Sequence, residues 1–427
     1  MAATIRDVYL QFNPLKPLEA NDLRYVDCTR ERGLPALFQG FRLPLEDEPR
    51  PLLFSGHLGD GKTTILKQLQ GQLTREEQDF VVFGDVIERL GLIDIVEYDD
   101  VLLTILAVVD EALRAHFQAH MEAPRFQRIW QALSGLVNFE PHVDLPVPLI
   151  GQLTVTLRDF PDVRRQVRQR LREARGTTFL GVVNDYLHQA QEIVRQQGYR
   201  NLVVIVDSLE TLLDTLSTGQ VMPDERLFLG QATQLLGVQC HVIYTVPLAF
   251  VHAQSANLAM RYGSQPLVVP LLPVRWPDGT PHETGMGKLR EIIQRRLEAI
   301  GTDMARAFSD MTQVDRLCRA SSGHLRMLMF LMQTVCSEAR AVHPDLPLTS
   351  ADVSAAIQRV GAQRRRLASS YTDALQQVAQ THRLDGLPGD VRQALLHHYL
   401  VYEYFSGADY WYDTSMLLHA EEAGDGT

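Results

Sequence analysis

Short, almost continuous apolar runs alternate with longer amphipathic stretches in the first two thirds of the chain. Runs of valine, isoleucine and leucine that are separated by helices are typical of a parallel sheet covered on both faces. The pattern therefore predicts an α/β core over residues 51–280. Five runs have the length and composition of buried strands: residues 51–55, 79–85, 201–207, 241–246 and 266–271.

A long interval separates the second and third predicted strands. Helical spacing dominates it, which predicts a helical insertion over about residues 99–198, beginning with a helix over 99–119. Within the insertion, residues 143–157 read as a short hairpin, and Pro161 opens a charged helix that runs to about Arg195.

Beyond residue 280 the apolar positions recur at helical spacing. Residues 287–300 have one apolar face, and residues 325–332 are apolar nearly all round, as in a buried helix. Thr349 or Ser350 is placed to cap the next helix. These features predict a helical lid over residues 281–348.

The two ends of the chain differ from the rest. Near the C-terminus, tyrosine-rich residues 399–405 and 410–414 flank a glycine-containing turn, which predicts a β-hairpin. A hairpin that follows helices indicates a winged-helix-like domain over residues 349–427. At the other end, several prolines and few periodic apolar positions predict an irregular N-terminal arm over residues 1–50.

A complete phosphate loop, G-x-x-x-x-G-K-[ST], follows the first predicted strand and precedes a helical stretch. Its glycines permit close backbone approach, and its amides and the helix N-terminus point at the phosphates. Lys62 can reach the β- and γ-phosphates, and the Thr63 hydroxyl can ligate Mg²⁺. The loop therefore predicts binding of a nucleoside triphosphate. The predicted binding residues are Gly56, His57, Leu58, Gly59, Asp60, Gly61, Lys62, Thr63 and Thr64.

Polar residues at the ends of two later strands complete the predicted nucleotide site. Asp207 closes an apolar strand, the Walker B arrangement, and can hold Mg²⁺ through water. Many relatives place a glutamate next; here that residue is Ser208, and the nearest acid, Glu210, is the candidate for orienting the attacking water. Thr245 lies near the end of the following strand and could sense the γ-phosphate, although threonine is also an ordinary strand residue.

Two arginines are further catalytic candidates. Arg326 begins the predicted buried helix, where the helix dipole disfavours a cation, so we interpret it as a lid arginine that reaches the phosphates. Arg261 precedes the last strand and could act as an arginine finger on a second copy, although an ordinary surface ion pair explains it as well.

Composition narrows the classes of protein. The chain has 427 residues, enough for two or three domains, and its net charge of −11 argues against non-specific nucleic-acid binding by the whole surface. The four cysteines form no C-x-x-C pair, so buried thiols are expected instead of a zinc site or disulfides. No signal peptide is evident, and the apolar run 101–109 is about half a bilayer span. We expect a cytoplasmic protein without a membrane segment.

Together, Gly56–Thr64, Leu202–Glu210 and Ser322–Arg326 resemble the AAA+/STAND class of P-loop ATPases. The likeness is to bacterial stand-alone ATPases with a Gly-His-x-Gly-x-Gly-Lys-[Ser/Thr] loop, an insertion before Walker B, a helical lid and a winged helix. It implies a three-layer αβα sandwich whose parallel sheet has the order 5-1-4-3-2. It also implies ATP and Mg²⁺ as ligands, a sensor-2 role for Arg326, and Mg²⁺ binding by Asp207. Ser208 and Thr211 depart from the acidic and basic residues of these relatives, so fast hydrolysis is not implied.

Three functions fit these features. The leading hypothesis is a regulatory ATPase whose nucleotide state controls its conformation, its oligomerisation or an unidentified partner protein. The second is a DNA-binding AAA+ loader or transposition-type regulator, and the third an ATP-binding module without turnover. No guanine-selective N-K-x-D motif is apparent. A local basic stretch favours the DNA hypothesis: Arg359, Arg364, Arg365, Arg366, Arg383 and Arg392.

Overall fold

A computed structural model describes most of the chain, and its described residues divide into two compact units. The first unit comprises Met1–Leu37, Gly56–Ile65 and Val268–Thr427, and the second Phe38–Ser55 and Leu66–Leu267. The domain boundaries predicted at residues 50, 280 and 348 remain predictions. The residues described are 3–34, 49–91, 96–117, 179–211, 223–343, 345–407 and 409–419.

Five parallel strands form the main sheet, in the order β2-β3-β4-β1-β5. Read from the other edge, this is the predicted order 5-1-4-3-2, so the predicted P-loop α/β fold is confirmed. The central strands are fully buried because their runs of valine and isoleucine leave no polar face. The strands are β1 (Pro51–Gly56), β2 (Phe80–Asp85), β3 (Leu202–Asp207), β4 (His241–Pro247) and β5 (Leu267–Val269).

Helices follow each of the first four strands. The helix α4 (Tyr98–Phe117) carries the apolar run noted above, and its buried Asp110 accepts hydrogen bonds from Tyr186 and Arg114, at 2.8 Å each. Within the described residues, no helix has the length and apolarity to cross a bilayer. The predicted hairpin over 143–157 and the start of the charged helix lie outside the described residues. The other helices here are α2 (Lys62–Glu76), α3 (Val86–Leu90), α5 (Phe179–Gln196), α6 (Pro223–Glu225), α7 (Ala232–Leu236) and α8 (Leu248–Tyr262), with a π-helical turn at Arg226–Gly230.

The C-terminal part of the chain is mainly helical, as predicted. The first five of its helices share one apolar core, and the last two form a second core with the start of the strand Val401–Phe405. Thr349 caps the fifth helix with a capping box to Asp352. The helices are α9 (Glu283–Glu298), α10 (Met304–Ala307), α11 (Thr312–Ala320), α12 (Leu325–Val342), α13 (Ser350–Ala368), α14 (Thr372–Thr381) and α15 (Gly389–His397).

An antiparallel hairpin of β6 (Val401–Phe405) and β7 (Tyr410–Thr414) follows these helices, which confirms the predicted hairpin. Trp411 stacks on Tyr404 across it, with ring centroids 4.6 Å apart. That the hairpin and its helices form a winged helix remains a prediction.

The N-terminal arm is not wholly irregular. It contains α1 (Ile5–Gln11), which packs into the same apolar core as the C-terminal helices. Thr4 and Asp7 form a capping box at its start, a signal that the prolines further along the arm obscured in the sequence.

Candidate nucleotide-binding site

The phosphate loop joins β1 to α2, and its backbone adopts conformations that only glycine takes readily. Gly59 and Gly61 have φ angles of 90° and 97°. The helix α2 begins at Lys62, directly after the second of these glycines. The loop therefore presents backbone amides and the positive end of a helix at one place, the arrangement that binds phosphate.

Lys62 is held inside the loop that carries it. Its Nζ donates to the carbonyl oxygens of Gly56 and His57, at 3.0 and 2.8 Å, and the side chain is almost fully buried. Asp60 lies beneath it: one carboxylate oxygen accepts from the Lys62 amide at 3.1 Å and lies 3.9 Å from Nζ. The ammonium group is thus fixed at the loop instead of extended into solvent.

Arg326 packs on the outside of the loop at Gly59. Its backbone amide donates to the Gly59 carbonyl at 2.9 Å, and a Cβ added at Gly59 would lie 2.7 Å from Arg326 Nε. Among the described residues, that buried Nε has no hydrogen-bond partner. A guanidinium nitrogen that is buried without a partner beside a phosphate loop fits an anionic ligand.

The adjoining His324 links the lid turn to the loop; the lid turn is defined here as residues 321–326, so that it includes the first two residues of α12. Its Nδ1 accepts from the Met327 amide and caps α12, so the proton is on Nε2, which donates to the Leu58 carbonyl at 3.0 Å. The pKa of His324 is lowered to about 3, mainly by burial and to a smaller extent by the cations Arg364, Arg326 and Lys62. The imidazole is therefore neutral at pH 7.

Because the folded protein keeps His324 neutral, its stability should depend on pH. Below pH 6.5 the unfolded chain binds a proton at His324 that the folded chain does not bind. The contribution of His324 to stability is therefore complete above pH 6.5 and is lost as the pH falls towards 3. Between pH 6.5 and pH 5 the free energy of unfolding should therefore fall by about 2 kcal/mol, at roughly 1.4 kcal/mol per pH unit. We expect His324→Asn, which retains a capping oxygen, to show a correspondingly flatter profile of unfolding midpoint against pH.

The exposed His188 provides the control for this measurement, since His188→Asn should give a profile parallel to that of the wild type. Parallel profiles for His324→Asn and the wild type would contradict the assignment.

The C-terminal hairpin contacts the loop through His57. The amide of Glu403 in β6 donates to His57 Nε2 at 3.0 Å, and Tyr402 meets the same imidazole edge-on, with ring centroids 5.5 Å apart. Tyr402 also stacks on His324, at 5.5 Å, and Tyr404 donates to the Ser322 carbonyl at 2.7 Å. Loop, lid turn and hairpin therefore form one hydrogen-bonded assembly within the first unit.

Two contacts from the N-terminal arm were not foreseen in the sequence. The amide of Leu18 donates to the Thr64 hydroxyl at 3.2 Å, and Arg32 Nη2 donates to the Asp60 carbonyl at 3.0 Å. No local motif signals either contact, because each joins residues that are tens of positions apart in the chain.

In the second unit, two aspartates end neighbouring strands, and Thr245 lies two residues before the end of the next strand, β4. Asp85, Asp207 and Thr245 occupy consecutive strands at matching register, since Asp85 pairs with Asp207 and Val206 with Tyr244. The buried Asp207 accepts from the Ser208 amide at 2.9 Å, and the Ser208 hydroxyl donates to Asp85 at 2.7 Å. Ser208 thus bridges two carboxylates, and Asp85 was not among the predicted site residues.

The remaining predicted residues are placed as follows. Thr245 Oγ1 accepts from the Leu209 amide at 3.1 Å, and Glu210 lies in the 3₁₀ turn Leu209–Thr211 directly after β3. Thr63 lies in the first turn of α2, and Arg261 is exposed in the last turn of α8.

Most of the basic stretch that favours DNA binding has partners within the protein. Arg359 pairs with Glu338 and Arg383 with Asp385. Arg364 donates to the carbonyls of His398 and Tyr399, at 3.0 and 2.6 Å, and lies over the Tyr399 ring. Arg365 donates to the Leu417 carbonyl at 3.3 Å. These cations are less available to DNA than their spacing in the sequence indicates.

The phosphate loop, placed between a strand and a helix on a parallel sheet of order 2-3-4-1-5, defines a P-loop nucleoside-triphosphatase fold. The residues present suit a nucleotide with Mg²⁺: glycine backbone and cations for phosphate, and a hydroxyl and a carboxylate for the metal. No group of three or more candidate metal ligands occurs in the described part of the chain, and Mg²⁺ needs only one or two carboxylates beside phosphates.

No protein-family model matches the sequence, and neither does any curated protein. Three solved structures are similar to the chain at low sequence identity. The Walker-type ATPase of Pyrococcus abyssi is 14% identical over 97% of this chain and 99% of its own, with a TM-score of 0.44. The ORC2 protein of Aeropyrum pernix is 13% identical over 97% and 95%, with a TM-score of 0.43. Cdc6p from Pyrobaculum aerophilum is 10% identical over 99% and 97%, with a TM-score of 0.37. Because these scores lie below 0.5, the likenesses carry no weight for function.

Proposed function

We propose that the protein is an AAA+-type regulatory ATPase that binds ATP with Mg²⁺ and transmits its nucleotide state to the C-terminal hairpin. One observation carries the proposal: the lid turn and β6 both bond to consecutive residues of the phosphate loop, His57, Leu58 and Gly59. A loop that adjusts to a bound phosphate must therefore alter or break bonds to both elements.

The chain's own residues have the following proposed roles. The loop amides and Lys62 hold the phosphates, Arg326 adds positive charge from the lid, and Thr63 and Asp207 hold the Mg²⁺ ion. When bound, Mg²⁺ would neutralise part of the negative charge of the phosphates. Thr245 is our candidate for sensing the terminal phosphate, and Arg261 for acting on a second copy in an ATP-dependent oligomer.

Glu210 is our candidate for orienting the attacking water, and the rate of ATP hydrolysis tests this role. Without a carboxylate to orient water, Glu210→Gln is expected to hydrolyse ATP at least about 100-fold more slowly while binding ATP as before, because such a group typically contributes 10² or more. Asp85→Asn is the companion variant, since Asp85 ends the neighbouring strand. A normal rate in Glu210→Gln together with a slow one in Asp85→Asn would move the role to Asp85.

Transmission to the hairpin can be measured with the fluorescence of Trp411. This residue belongs to β7 and is buried against Tyr404 of β6. In a protein whose other tryptophans, Trp130 and Trp276, are replaced by phenylalanine, saturating ATP is expected to change the emission of Trp411. His57→Ala removes the acceptor of the Glu403 amide, so the ATP-dependent change should shrink by at least about half.

His188→Ala is the matched control, because His188 is exposed and outside the loop. An equal response of His57→Ala and wild type at saturating ATP would contradict transmission through His57. The same samples, analysed by mass with ATP and with ADP, test self-association.

Duplex DNA added to these samples tests the second hypothesis. Since most of the basic stretch is paired internally, we expect little DNA binding through it. Tight binding at low salt that Arg366→Ala or Arg392→Ala weakens would instead favour a DNA-binding regulator. ATP binding without measurable turnover would favour the third hypothesis.

A further inference from the structure

Arg32, from the N-terminal arm, is a buried cation for which the described part of the chain provides no counterion. Its side chain is 2% exposed, and its one hydrogen bond among the described residues runs from Nη2 to the Asp60 carbonyl of the phosphate loop, at 3.0 Å. In the described part of the chain, its Nε and Nη1 atoms have no hydrogen-bond partner and no carboxylate pairs with it. Arginine cannot shed its proton to relieve this cost, so such an arrangement calls for an anion.

The position of Arg32 is imposed by the fold. It lies in a turn closed by bonds from the Arg32 amide to Cys28 and from the Leu34 amide to Thr29, at 3.1 and 2.8 Å. The next residue, Gly33, has a φ of 67°, and a Cβ there would lie 1.9 Å from Phe405 of β6. The turn is therefore pressed against the hairpin, and the guanidinium is directed to the loop before any ligand binds.

The surroundings of Arg32 make the case stronger, because other cations are already close to the loop. Lys62, Arg326 and Arg364 all lower the pKa of His324, whereas one carboxylate, that of Asp60, lies within the loop, 3.9 Å from Lys62 Nζ. The fold places one more buried cation here, although repulsion between like charges opposes this. A polyphosphate is the ligand class whose charge matches several cations at a glycine-rich loop.

We propose that Arg32 binds the phosphates of the nucleotide held by the loop, as a second arginine besides Arg326 that acts within the same chain. The inference rests on the proposed function and deepens it, because it makes the N-terminal arm part of the binding site. It also explains why the guanidinium has one acceptor among the described residues: the other donors remain for the ligand.

The test compares Arg32→Met with Arg30→Met, a charge-matched control two residues away on the exposed side of the same turn. Binding of ATP, ADP and inorganic tripolyphosphate is measured by calorimetry, and the thermal midpoint of the protein without nucleotide is recorded. Arg32→Met should bind ATP and tripolyphosphate about 10- to 100-fold more weakly, as expected for lost charge-assisted bonds. Its midpoint without nucleotide should equal or exceed that of the wild type, because an uncompensated buried charge has been removed.

Two results would overturn the proposal. One is binding by Arg32→Met within about twofold of the wild type. The other is a lower midpoint without nucleotide, with binding lost in proportion to the unfolded fraction, since that is the behaviour of a structural residue. If the wild-type protein bound tripolyphosphate but not ATP, the proposed ATPase function would be wrong. The phosphate-binding role of Arg32 would still be tested by comparing tripolyphosphate binding in the two variants.

Discussion

Replacement of Lys62 by alanine is expected to lower the affinity for ATP by at least about 100-fold, roughly 3 kcal/mol. The ammonium group is the only buried cation fixed inside the loop among the described residues, where Gly56 and His57 hold it within 3.0 Å. Alanine removes the charge and its bonds to phosphate together. Calorimetry with ATP and Mg²⁺ measures the loss, and circular dichroism checks that the variant is folded.

Lys67→Ala is the control, because Lys67 belongs to the same helix but lies over the ring of Phe83, 5.6 Å from its centroid. It should bind ATP within about twofold of the wild type. If Lys62→Ala bound ATP as tightly as Lys67→Ala, the loop would not be the nucleotide site.

The second large effect is expected at Gly323, in the lid turn. Its φ is 76°, and a Cβ would lie 1.7 Å from the Leu272 carbonyl oxygen, so Gly323→Ala must displace backbone. Left-handed strain of about 1 kcal/mol and overpacking of about 1 to 3 kcal/mol add to a loss near 3 kcal/mol. Because the turn carries His324 and Arg326, the variant should also bind ATP more weakly. Denaturant unfolding and calorimetry measure the two effects.

Gly301 offers a control with nearly the same backbone. Its φ is 73°, but no atom lies within 4 Å of an added Cβ, so Gly301→Ala should show the strain alone, about 1 kcal/mol. Equal losses in the two variants would mean that the contact with Leu272 is not rigid, and normal ATP binding by Gly323→Ala would uncouple the turn from the loop.

The sheet was readable from the sequence because its strands are buried on both faces and separated by helices. Runs such as Leu202–Asp207 need no distant information to be recognised, and the phosphate loop is a local motif. The ends of the strands were predicted less accurately. The last strand of the sheet covers Leu267–Val269, whereas residues 266–271 were predicted. An apolar run does not show where pairing to a neighbouring strand stops.

The surroundings of the loop could not be read in this way. Arg32 and Glu403 reach the loop from 28 and 346 positions away in the chain, so only tertiary packing brings them together. Asp85 was overlooked because a strand-ending aspartate that caps a helix is common, and only the register beside Asp207 sets it apart. Arg326 could be proposed because its helix-start position is electrostatically unfavourable, which is a local property.

The lid turn holds the phosphate loop through the carbonyl oxygens of Leu58 and Gly59, whereas the hairpin holds it through the imidazole of His57. A carbonyl oxygen is present whatever side chain occupies the position, but an imidazole nitrogen is not. Homologues that keep this architecture should therefore exchange Leu58 freely and retain histidine, or another side-chain acceptor, at position 57. Positions 57 and 58 are both unspecified in the phosphate-loop motif, and they would then be substituted at different rates during evolution.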